Sequence, residues 1–124
     1  MAKNLTGLND FEVFDFKGFL ADKTFEACSE AQVLTDFDTG EVIGTRLTVE
    51  ITSDATPYRH KGVSNVGARF DLKIPGKDVA AYSWCGYRVP VELINVTDAT
   101  RWSVRQGGSR NMLTITGDAR APKA

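Results

Sequence analysis

Arg101, Trp102, Arg105 and Arg110 are the residues of this chain whose types and spacing most clearly suit a chemistry. They flank the turn Gln106-Gly107-Gly108-Ser109, and no acid lies between Thr100 and Gly117. A guanidinium neutralises phosphate, and an indole offers a flat face to a base. Each base stacked on an aromatic side chain is worth about 1–3 kcal/mol. Cations interleaved with an aromatic on a glycine-bearing turn therefore suit single-stranded nucleic acid. Tyr58, Arg59 and Lys61, with His60 between them, repeat the mixture in a second loop. Plainer readings stay open beside this one. Trp102 on a strand suits a core position as well as a stacking platform. Arginines at a hairpin tip also keep a sheet edge soluble. His60 between two cations suits a solvated loop.

Catalytic patterns are missing. The sequence holds no Walker loop, GxGxxG, HExxH, GxSxG or Cys–His pairing. Sixteen carboxylates are present, but no spacing marks an acid–base pair. The expectation is a binding protein without cofactor, not an enzyme. Cys28 and Cys85 are far apart, which suits two reduced thiols better than a disulfide. With His60 the lone histidine, a zinc site would need carboxylate ligands and is not expected.

The chain has 124 residues, enough for one domain. A domain of this length buries about two-thirds of the surface its unfolded chain exposes, so one core suffices. No apolar run approaches the roughly 20 residues of a membrane span. Met1–Gly7 lacks an apolar h-region, so a cytoplasmic location is expected, and the Asn4-Leu5-Thr6 and Asn95-Val96-Thr97 sequons carry little weight. Net charge is −1 but uneven. Residues 1–54 hold 11 acids and 4 bases (−7), and residues 55–124 hold 5 acids and 11 bases (+6). That asymmetry suits an anion-binding half. The near-neutral total argues against a strong electrostatic magnet.

These residues need a scaffold, and the alternation of side chains predicts one. Gly44–Asp54 alternates strictly: Leu47, Val49 and Ile51 on one face, Arg46, Thr48, Glu50 and Thr52 on the other. This is a strand buried on one side, as in an antiparallel sheet. Ala68–Ile74 repeats the pattern, with Phe70, Leu72 and Ile74 inward and Arg69, Asp71 and Lys73 outward. Residues 1–10 form an arm. Phe11–Ala21 reads as a strand on the pairing of Phe14 with Phe16, with Gly18 as a bulge or corner. Thr24–Phe37 fits helix or strand, and the turn Asp36–Gly40 after it favours strand and a long hairpin. Residues 53–66 form a loop. Lys77–Cys85 is a short helix on which Tyr82 and Trp84 plug the barrel. Arg88–Val96 is a strand with Pro90 at its start or edge, and a final pair covers Thr100–Arg105 and Asn111–Thr116. Residues 118–124 form a polar tail.

Five strands with one short helix between strands three and four match the OB-fold, an all-β Greek-key barrel. A small sandwich is the alternative. OB-folds bind ligands on strands two and three and in the loops 1–2 and 4–5. The candidate face is then Arg46, Thr48, Arg69 and Lys73, joined by the Arg101–Arg110 hairpin and the Tyr58–Lys61 loop. Glu50 lies on that face and repels phosphate unless it pairs with Arg69 or Lys73.

Three runs carry a resemblance: Gly44–Ile51, Phe70–Gly76 and Val89–Ala99. In spacing and strand pattern, over roughly residues 10–118, the chain resembles small accessory proteins of Gram-positive conjugative plasmids and integrative elements. That group includes OB-fold single-stranded-DNA-binding proteins and helicase-processivity factors. The resemblance implies a cytosolic, non-enzymatic role in plasmid replication or conjugative transfer of a mobile element. Its partner would be single-stranded DNA, or RNA, bound without sequence preference. An alternative is a protein-interaction adaptor on a helicase, relaxase or replication initiator, which the acidic N-terminal half suits.

Overall fold

β3, Val42–Asp54, touches three neighbours and organises the sheet. The computed structural model describes residues 16–57, 62, 64–104 and 110–122, with 101–104 and 110–112 as backbone. The elements in order are α1 (Phe16–Leu20), β1 (Lys23–Ala27), β2 (Gln32–Thr35), β3, β4 (Arg69–Pro75), a 3₁₀ helix (Val79–Tyr82), β5 (Pro90–Val104) and β6 (Arg110–Arg120). No helix among the described residues is long and apolar enough to cross a membrane.

The strands bond in the order β1-β5-β6-β4-β3-β2, and a further β1–β3 pairing closes β1, β5, β6, β4 and β3 into a ring. Every neighbouring pair is antiparallel except β4–β6, which is parallel. β3 reaches both β1 and β2 because it is long: its first half pairs with β2 and its second half with β1. The fold is therefore a small all-β barrel-like sheet, with β2 outside the ring.

The alternation in β3 and β4 is realised as expected. Leu47, Val49, Ile51, Phe70, Leu72 and Ile74 are each 5% exposed or less. Phe25, Ala27, Val91, Ile115, Tyr82 and Cys85 complete the interior, and Phe25 meets Phe70 edge to face at 5.8 Å. An edge-to-face contact suits the opposite charge of ring face and ring edge. Tyr82 is buried, Trp84 packs beside it, and the Tyr82 hydroxyl donates to Asp118 Oδ1 at 2.6 Å.

Several elements differ from the sequence-based expectation. Phe16–Leu20 is one turn of α-helix, not strand, and Gly18 lies inside it. Lys23 fixes the end of that turn: its ammonium donates to the Phe19 carbonyl and lies 4.4 Å from the Phe19 ring centre. The expected first strand is two strands, β1 and β2, so the described strands number six rather than five. β5 runs unbroken from Pro90 through Val104, where two segments are expected. A register shift between Ile94 and Asp98 absorbs the mismatch, with Asn95 at φ 51°. Asn tolerates this left-handed conformation better than most residues. Gly117 faces that bulge, and a Cβ there would sit 3.0 Å from Val96 Cα. β6 continues through Asp118–Arg120, where a polar tail is expected, and Ala119 is buried. The hairpin tip at Asp36–Gly40 is as expected: Asp36 Oδ1 accepts from the Asp38 and Thr39 amides.

Candidate nucleic-acid interface

Antiparallel pairing of β3 with β4 sets two polar rows side by side. The register places Arg46 opposite Lys73, Thr48 opposite Asp71 and Glu50 opposite Arg69. Side chains directly opposite in such a pair stand about 4.5–5.5 Å apart at Cβ, so each pair interacts. The three pairs differ in chemistry. Glu50 and Arg69 form an ion pair, Nε to Oε1 at 3.0 Å. Thr48 donates its hydroxyl to Asp71 Oδ1 at 3.2 Å. Arg46 and Lys73 are both cations. Arg46 donates to the Gln32 side-chain carbonyl, and Lys73 is exposed and makes no ion pair among the described residues.

The face therefore has a gradient. At the Glu50 end charges cancel, and the hydrogen bond from Arg69 and the nearby carboxylate raise the guanidinium's pKa further. At the Arg46 end two positive charges stand together without a carboxylate partner among the described residues. This answers the condition on Glu50: its charge is taken up by Arg69 rather than left on the face.

The parallel pairing of β4 with β6 extends the surface sideways. Asp71 pairs in register with Thr114 and Lys73 with Thr116, and β5 follows with Thr100 opposite Thr114. The same antiparallel pair places Arg101 opposite Leu113, Trp102 opposite Met112 and Val104 opposite Arg110. The β5–β6 hairpin thus grows out of the sheet beyond the Glu50–Arg69 end of the β3–β4 rows, and the cationic Arg46–Lys73 end lies toward the other end of β6, beside Thr116. Side chains of Arg101, Trp102 and Arg110 lie outside the described part of the structure, as do Arg105, Tyr58, Arg59 and Lys61 altogether. Comparison with family models, curated proteins and solved structures finds no match.

Sequence reasoning misses a neighbouring cluster on the β1 side of Glu50. Cys28 donates its backbone N–H to the Thr48 carbonyl at 2.8 Å. Arg88 Nη1 is 3.7 Å from Glu26 Oε1, and its guanidinium lies 5.5 Å from the ring centre of Tyr87, which is 71% exposed. Adjacent Tyr87 and Arg88, an aromatic beside a cation after Gly86, are the signal that would have found it. Burial pushes the Cys28 thiol up, with Arg69 opposing and Glu50 adding to the effect. A thiol kept protonated in this way is a poor nucleophile. The cleft between these side chains is about 20 Å³, room for one water and no ligand. The arrangement offers binding chemistry: cations, one exposed aromatic and hydroxyls. Among the described residues no group of three or more His, Cys, Asp or Glu is placed to hold a metal.

Proposed function

We propose that the barrel is an OB-fold and that the chain binds single-stranded DNA without sequence specificity, as an accessory protein in replication or conjugative transfer of a mobile element. The fold reading rests on the strand order, the parallel β4–β6 pair, and the 3₁₀ helix between β4 and β5. β3, β4 and β6 then supply the ligand face.

The observation that carries the functional reading is the Arg46–Lys73 pair, two cations in register at one end of the β3–β4–β6 face, whose other end leads toward the Arg- and Trp-bearing hairpin. Like charges directly opposite in a sheet are unfavourable by themselves. A polyanion crossing the two strands relieves that repulsion, and hydroxyls at Thr48, Thr114 and Thr116 offer neutral contacts along the same path. Backbone neutralisation with base stacking is insensitive to sequence, because every base has a π-face.

The test compares labelled single strands of unrelated sequence with a duplex of the same length, by fluorescence anisotropy. Similar affinities for all the single strands and weaker duplex binding are expected. Strong preference for one sequence, or for duplex, would contradict the reading.

A further inference from the structure

We propose that the open edge of β2 is a docking site for a basic, extended segment of another protein, which adds to the sheet as a further strand. β2 is bonded on one side only, to β3, among the described residues. A strand paired on one side leaves N–H and C=O groups facing outward, ready to template another strand. Proteins usually blunt such edges with lysine or proline. The sequence Gln32-Val33-Leu34-Thr35 has neither.

The side chains beside this edge point to a partner. Val33, Val42 and Ile43 are 46%, 65% and 44% exposed. They border a groove of about 320 Å³ whose far wall is Gly76, Val79 and the oppositely charged neighbours Lys77 and Asp78, which add no net charge. Alternate side chains of an added strand would drop into such a groove. Charge then selects the occupant. Residues 30–43 contain Glu30, Asp36, Asp38 and Glu41 and no base. A nucleic acid is repelled by this end. A second copy joined edge to edge brings the same four negative charges against the first four. A strand alternating Lys or Arg with β-branched residues complements both the groove and the charge. Gln32 on β2 also holds Arg46 of the cationic row. A docked peptide would thus sit next to bound nucleic acid without covering it.

The experiment selects displayed random peptides of about 12 residues on the full chain, a length that spans a strand of usual size. Counter-selection uses the Val42→Lys/Glu41→Lys variant, two exposed positions, with circular dichroism to check folding. Recovered peptides are expected to be rich in Lys or Arg, to place β-branched residues at alternate positions, and to bind the unaltered chain about 10-fold tighter than the variant. N-methylation of alternate backbone amides should abolish binding, and a labelled oligonucleotide should not displace the peptides. If the double variant unfolds, Ile43→Thr makes the same comparison. Recovery of no discriminating peptide, or of acidic ones, overturns the proposal. So does sedimentation of the unaltered chain as a dimer that Val42→Lys dissociates, which would make a second copy the occupant.

Discussion

Arg46 and Lys73 stand directly opposite one another across β3 and β4, two cations in register on the face where Glu50 and Arg69, four residues along, form an ion pair. Replacing both with alanine should weaken binding of every single-stranded oligonucleotide alike. The log–log salt slope should shrink by about 1.4, the loss of two phosphate contacts on a single strand. Thermal unfolding should be unchanged or slightly raised, since a repulsive pair is removed. Anisotropy titrations and a melting curve check both.

Glu50 holds Arg69 at 3.0 Å, and on the proposed nucleic-acid face this pair would compete with phosphate for the guanidinium. Glu50→Gln should release the guanidinium to a phosphate and tighten oligonucleotide binding by about threefold at low salt. Because the pair is exposed, the melting temperature should hardly move. Weaker binding would mean that Glu50 orients Arg69 rather than competing for it.

Lys23 and Asp54 form an ion pair at 3.3 Å with both side chains fully buried. Thr56 Oγ1 accepts from Lys23, and the Thr56 and Asn65 amides donate to the Asp54 carboxylate, so the charges are satisfied locally. Removing one partner weakens the compensation of a buried charge. Asp54→Asn should cost about 3–5 kcal/mol, whereas the double change Lys23→Met/Asp54→Leu should cost less. Urea unfolding of the three proteins gives the answer.

Tyr82 sets a pH limit. Burial first, then the hydrogen bond to Asp118 and that carboxylate's charge, push its hydroxyl far above the ordinary tyrosine range. The folded protein therefore holds the proton more tightly than the unfolded chain. That contribution is fully present below about pH 10, where a free tyrosine titrates, and is lost progressively above it. Tyr82→Phe should flatten the alkaline limb of a stability–pH profile measured by denaturant unfolding. An unchanged limb would show that other groups control it.

β3 and β4 are legible in the sequence because burial on one face writes a period of two. The hairpin tip is legible because Asp36 supplies its own turn bonds. α1 is not: Phe14 and Phe16 alternate with Asp15 and Lys17 as a strand would, and five residues are too few to display a helical period. β5 hides because Asn95 and the residues after it break its alternation at the bulge. Of the face, the two polar rows are readable but their register is not. Which cation opposes which acid depends on how β3 and β4 slide, and a slip of two residues would keep every core contact type yet place Glu50 beside another residue. Tyr87 and Arg88 escape notice because they meet Glu26 and Cys28 only where the chain entering β5 pairs with β1.

The most direct measurement is the affinity of the unaltered chain for a labelled oligo(dT) of about 20 nucleotides, titrated between about 50 and 300 mM salt. Five cations on the proposed track, Arg46, Lys73, Arg101, Arg105 and Arg110, give an expected log–log slope near about −3.5. Absence of binding at micromolar protein in about 50 mM salt, or an affinity independent of salt, would contradict the account.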